Sequence, residues 1–428
     1  MNELALFGGQ KAVSMPLKPY KTIGREERRA VRSVMKTGNL SQFVGAWDDD
    51  FYGGPMVKRF EEECARFFGV RHAITVNSWT SGLIAAVGAI GIKPGDEVIV
   101  PTWTMTASAA AILHWGGVPV FADIDEESFC ISPSSIEQLV SPRTKAVMTV
   151  DIFGRSANIA DINEIARKYN LRVICDSAQA PGAVVEGGFA GTLGDIGGIS
   201  LNYHKHIHTG EGGVIFTNDD DLANRMMLIR NHGEVVAENL GIKKIENLIG
   251  FNFRLGELES AIGREQLKKL PALISSRQAA AMQLDRGLRD LEGLKLPSTP
   301  AGSTHVYYVY GMVLSGKALR SGRQNIIRAL EAEGVEGIAS GYQNLHLLPV
   351  YQKKIAFGED GFPWNTSAEA AKIDYSKGVC PTAEKLHDFS FLGLNLCKFE
   401  YSEAEVTLVI EAFQKVWANL DKIQAEHL

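Results

Sequence analysis

The chain has 428 residues, 45% of them hydrophobic and 22% charged. These are globular proportions, and they exclude a disordered, collagen-like or fibrous chain. The length exceeds what one core usually supports, so two domains are expected, and the net charge of −6 argues against general nucleic-acid binding.

Residues 1 to 24 read as an N-terminal arm. A helical pattern opens at Gly24 and runs to about Met35. Gly38 to Pro55 is rich in Gly, Asp and aromatic residues and reads as a long loop, a length that is usually functional. Val57 to Phe68 has helical spacing. Short apolar strands and amphipathic helices then alternate. Strands are expected at His72–Val76, Glu97–Val100, Val118–Asp123, Ala146–Val150 and Arg172–Asp176. Helices are expected at Ser81–Ile90, Thr106–Trp115, Pro133–Leu139 and Ile159–Tyr169. Such alternation predicts a mainly parallel, doubly wound α/β sheet. Ile196–Leu201 and Gly213–Thr217 read as two more strands, the second as an antiparallel edge. Glu257–Leu270 reads as a helix stopped by Pro271, and a second helix follows from Leu273 to Leu291. His305–Leu314 reads as a strand, and Arg323–Glu333 and Glu403–Leu420 as helices. The expected division is an arm at 1–24, a large domain at 25–271 and a smaller C-terminal α/β domain at 272–428.

Three segments combine into one chemistry. Asn77-Ser78-Trp79-Thr80-Ser81-Gly82 lies between a strand and a helix, where free N–H groups and the helix dipole suit an anion. Alone it reads equally well as an N-cap. Asp176 ends a buried strand, at the sheet edge where open α/β sheets place ligands. Alone it reads equally well as a helix cap. Lys205, in the turn between Ser200 and Gly213, is a candidate Schiff-base former, although most lysines are simply surface residues. Together and in this order they supply what pyridoxal phosphate requires: a phosphate cradle, a carboxylate for the ring nitrogen and an amine for the aldehyde. His204, His206 and His208 alternate, which in a strand would line one face with imidazoles. Lys205 stands among them and no carboxylate cluster matches, so no metal is expected. No GxGxxG follows a strand, which leaves a dinucleotide site without support. The five scattered cysteines form no CxxC and read as reduced thiols of a cytosolic protein. Met1-Asn2-Glu3-Leu4 carries no basic, apolar leader pattern. Ala107–Ala122, the most apolar window, is shorter than the ~18–20 residues a membrane span needs.

Lys93-Pro-Gly-Asp-Glu-Val-Ile-Val-Pro101, Cys175-Asp176-Ser-Ala-Gln179, Thr209-Gly-Glu-Gly-Gly213 and Gly250-Phe-Asn252-Phe-Arg254-Leu-Gly-Glu257 resemble the DegT family of fold-type-I pyridoxal-phosphate aminotransferases. The resemblance implies a large domain with a seven-stranded, mainly parallel sheet flanked by helices, plus a smaller α/β domain. It implies pyridoxal 5′-phosphate as cofactor and Lys205 and Asp176 as catalytic residues. It places Gln179 near the phenolic oxygen. The phosphate falls to Ser78, Trp79, Thr80 and Ser200, and to Asn252 from a neighbouring subunit of a homodimer. Trp103 or Met105 would cover the ring, and Asn202 stands where a histidine is frequent. Trp79 replaces a usually small residue. Tyr52, Gly54, Pro55, Arg254 and His346 are the expected substrate-side groups. The implied reaction moves an amino group from glutamate or glutamine to a keto-sugar, nucleotide-linked, or to a keto-cyclitol. The alternatives are a sugar dehydratase, in which histidine replaces the lysine, and a non-catalytic cofactor-binding regulator. Neither a membrane nor a nucleic acid is an expected partner.

Overall fold

The computed structural model describes residues 3–243 and 245–425. Met1 and Asn2 of the predicted arm and the last three residues of the predicted small domain lie outside these. Seven strands form the large sheet: β1 (His72–Val76), β2 (Glu97–Pro101), β3 (Val118–Ala122), β4 (Thr144–Val150), β5 (Arg172–Asp176), β8 (Ile196–Ser200) and β9 (Gly213–Thr217). Between β5 and β8 a small hairpin pairs β6 (Val184–Val185) with β7 (Gly188–Phe189). The sheet order is β1-β9-β8-β5-β4-β2-β3. All neighbours are parallel except β9, which runs antiparallel to β1 and to β8. Strands such as β2 and β3 are buried along their whole length, as expected of a sheet covered on both faces. The helix α1 (Arg25–Thr37) packs on the later long helix Glu257–Leu288, and the covering helices include α2 (Pro55–Phe68), α3 (Trp79–Ala89), α4 (Ala107–His114), α5 (Pro133–Leu139), α6 (Ile159–Tyr169) and α7 (Asp220–Arg230).

The β9 segment corrects the expected edge strand. The turn after Ser200 brings the chain back antiparallel beside β8, and β1 adds to its far side. This order gathers the carboxyl ends of β1, β5 and β8 along one edge of the sheet.

The two helices expected around Pro271 are one, α8 (Glu257–Leu288), with the proline inside. Burial on both sides of it, at Leu267, Leu270, Arg277 and Ala281, outweighs the lost backbone bond. The expected strand from His305 begins only at Val309. Val306 N–H bonds the Gly154 carbonyl, and Tyr307 takes a left-handed φ of 51°, so pairing cannot start earlier.

A four-stranded sheet orders Leu294–Lys295, Val309–Leu314, Phe391–Asn395 and Ile338–Ala339. Its core includes Leu4, Val13 and Leu17 of the arm. Buried Glu333 fastens that arm, accepting Ala5 and Ala12 N–H and pairing with Lys415. The segment around 345–386 packs instead on the large sheet's core. There Tyr375 donates to the Pro119 carbonyl, and Asp123 accepts from Thr382 and Ala383 N–H.

Candidate active site

The first part of the site is the start of α3. Ser78 caps the helix, its Oγ accepting Ser81 N–H at 3.1 Å, and its carbonyl accepts Gly82 N–H. Among the described residues the N–H groups of Trp79 and Thr80 have no acceptor. A Cβ on Gly213 would sit 2.9 Å from the Trp79 nitrogen. Only glycine therefore lets β9 pass under these free donors, and an anion fits at such a helix start.

The Trp79 side chain leaves this cradle open because it points into the core, 5% exposed. It is slotted beside two glycines: a Cβ on Gly82 would come within 2.7 Å of the indole, and one on Gly198 within 2.3 Å. The indole N–H donates to Asp176 Oδ1 at 2.6 Å. Ala178 N–H reaches the same oxygen at 3.2 Å, and the Ser108 hydroxyl donates to Oδ2 at 2.8 Å. Burial pushes the Asp176 carboxyl above its usual range, against the pull of Ser108, Trp79, Ala178 and Lys205.

Lys205 is buried, 7% exposed. Its Nζ has no hydrogen bond or carboxylate pair among the described residues and lies 4.6 Å from the centroid of the Tyr308 ring. Burial lowers its pKa to about 8, with Asp176 pulling the other way. A buried, unpaired amine is unusual and suits a Schiff-base role. Gln179 is held at both ends, its Oε1 accepting Phe153 N–H and its amide donating to Tyr342 Oη at 2.9 Å. Ser200 Oγ accepts Asn202 N–H. Asn202 donates to Glu211, and its buried Oδ1 has no partner. The free helix donors, the lone amine, the buried carboxylate and this orphaned oxygen fit pyridoxal phosphate.

Other predicted residues lie elsewhere. Trp103 is fully buried, ringed by Phe129, Phe153 and Phe391, with its N–H on the Tyr342 carbonyl. No face of it is open to cover a ring, whereas Met105 is half exposed. His346 also corrects the expectation. It is buried, with Nδ1 2.5 Å from Thr102 Oγ1 and Nε2 3.0 Å from Glu384; both nitrogens are occupied, and it fastens the 345–386 segment. Gly54 and Pro55 open α2, and Glu257 accepts the Met56 and Val57 N–H groups there, so that helix start is closed to an anion. Tyr52 is partly buried, edge-on to Phe51. Asn252 is exposed, its Oδ1 accepting from Arg254 Nε. Within the same chain its carbonyl accepts from Asn77, next to Ser78. The three histidines lie on a turn and not on a strand face, with His206 Nε2 on the Val306 carbonyl.

Ser108, Tyr308 and Tyr342 were not predicted. Each comes from a segment remote in sequence, and no local pattern marks them.

Fold and site together define a pyridoxal-phosphate transferase of fold type I. The chain belongs to the DegT/DnrJ/EryC1/StrS aminotransferase family, whose sequence pattern matches residues 22–374. It is 36% identical over 335 residues to the GDP-perosamine synthase of Caulobacter vibrioides, covering 76% of this chain and 89% of that one. It is 31% identical to the L-glutamine:2-deoxy-scyllo-inosose aminotransferase of Streptomyces lividus, covering 83% and 85%. The solved structure of an aminotransferase from Psychrobacter cryohalolentis superposes with a TM-score of 0.80 at 28% identity, covering 95% of this chain and all of the other. Among the described residues no helix is long and apolar enough to cross a membrane.

Proposed function

We propose that the protein transfers an amino group from glutamate or glutamine to a keto-sugar, nucleotide-linked, or to a keto-cyclitol, in the cytoplasm. The observation that carries this reading is the buried, unpaired Lys205 amine at the same sheet edge as Asp176 and the open start of α3. Bound pyridoxal phosphate supplies an electron-withdrawing ring that acidifies the carbon carrying the donor nitrogen. Trp79 and Thr80 N–H, with Ser200, bind its phosphate, and Asn252 of a second copy joins them in a homodimer. Asp176 presents a negative charge to the ring nitrogen. Gln179, fixed by Phe153 and Tyr342, orients the phenolic side. With a pKa near 8, Lys205 Nζ is close enough to neutral for part of the amines to accept the proton of the donor α-carbon and return it on the other side of the donor nitrogen, two atoms away. A lysine at this position supports the transferase over the dehydratase, which uses histidine.

The test is the visible spectrum of purified protein before and after glutamate or glutamine, followed by a nucleotide-linked keto-hexose. A yellow band that bleaches with donor and returns with acceptor supports the reading. A band indifferent to both donors, or transfer that survives in Lys205→Ala, refutes it.

A further inference from the structure

We propose that Trp79 is a positioning residue that joins the two ends of the cofactor site, its backbone N–H at the phosphate cradle and its indole N–H fixing the orientation of Asp176. The inference rests on the function proposed above and adds a residue to it. A carboxylate offers about four acceptor directions. Trp79 and Ala178 take two on Oδ1, and Ser108 takes one on Oδ2. One direction remains, on Oδ2, so the indole decides which oxygen is left for the ring nitrogen.

The indole cannot easily turn away. The Gly82 and Gly198 contacts already described leave no room for even a methyl group beside it, and the side chain is almost fully buried. Trp79 is also the first residue of α3. One rigid side chain therefore sets the separation between the anion site and the carboxylate.

The groups facing Asp176 explain why such a clamp matters. Lys205 favours its charge. Asp151, whose N–H bonds the Asp176 carbonyl, is itself pushed up by burial and in part by the Asp176 charge. Tyr342 lies close enough to sense Asp176 as well. Ser177 bonds Asp151, not Asp176. Without the indole, Asp176 keeps its burial and its acidic neighbour but loses its shortest donor.

The test begins with apo protein labelled with 15N at its tryptophans. The six tryptophans give six indole N–H signals, and Trp79→Phe identifies one of them. The expected result is a downfield Trp79 signal that shifts with pH and loses that dependence in Asp176→Asn. In the holoenzyme, Trp79→Phe should still fold cooperatively, at a modestly lower melting temperature, and slow bleaching by glutamate by roughly ten-fold or more, as loss of one charge-assisted hydrogen bond predicts. It should also move the acidic limb of the rate profile to higher pH, with KM little changed. An unshifted indole signal indifferent to Asp176→Asn overturns the inference, as does a Trp79→Phe enzyme with the wild-type rate and profile. If Trp79→Phe does not fold, the wild-type signal is assigned by its loss in Trp79→Tyr, and its response to Asp176→Asn decides. The two readings fail separately. A wild-type band indifferent to every donor defeats the aminotransferase reading while the apo indole result stands.

Discussion

Replacing Lys205 with methionine should abolish transfer and yet stabilise the apo protein. Methionine matches the length of the lysine stem without the charge. Burial lowers the Lys205 pKa from 10.5 to about 8, and at about 1.36 kcal/mol per pH unit this sets a ceiling of roughly 3 kcal/mol. Losing the ammonium contact with the Tyr308 ring returns about 1 kcal/mol. The expected gain is therefore about 2 kcal/mol at pH 7. Its pH dependence follows from linkage. Below pH 8 the lysine is protonated in folded and unfolded chains alike, and the full penalty applies. Between pH 8 and 10.5 the unfolded chain holds the extra proton, so the wild type gains stability as pH rises. The advantage of Lys205→Met should then be largest at pH 7 and small at pH 10. Urea unfolding of both apo proteins at the two pH values measures it. Equal stability at pH 7, or a gain that persists undiminished at pH 10, would refute the argument.

Asp176→Asn should slow the first half-reaction by a factor of 100 or more, equivalent to about 3 kcal/mol, read from single-turnover bleaching; a near-normal rate would show that another group faces the ring nitrogen. Gly82→Ala, whose new methyl meets the indole first, should displace it and cost about 1–3 kcal/mol of stability together with weaker cofactor retention, followed by thermal melting and by dialysis. His346→Ala removes the buried imidazole that joins Thr102 to Glu384 and should cost about 1–3 kcal/mol, with KM for the donor unchanged; a selective rise in the acceptor KM would return His346 to the substrate side. Asn252→Ala should weaken cofactor retention without lowering the apo melting temperature, and unchanged affinity would count against a site shared between subunits.

The alternation from His72 to Asp176 is legible because each strand is short, apolar and bounded by turn residues, and each helix carries its own cap or period. Lys205 and Asp176 are legible for a related reason: Asp176 ends one strand and Lys205 follows another, and the ends of parallel strands converge. Side-chain direction is another matter. Trp79 and Asp176 are 97 residues apart and Gln179 and Tyr342 are 163 apart, so nothing local foretells that either pair meets. His346 misleads because a histidine in a loop looks available. Its partners, at 102 and 384, appear only once the 345–386 segment has docked. Pro271 misleads in the opposite sense. It is a strong stop signal locally, and packing on both sides carries the helix through it.

The arm held by Glu333 bears on the order in which the molecule is assembled. Ala5 and Glu333 are separated by 328 residues, a span that takes roughly 15–65 s to synthesise at about 5–20 residues per second. Leu4, Val13 and Leu17 are thus made well before the C-terminal residues that cover them. Meanwhile strands β1 to β9 can pair without them. The arm should therefore close late in folding, over a core that only the C-terminal third completes.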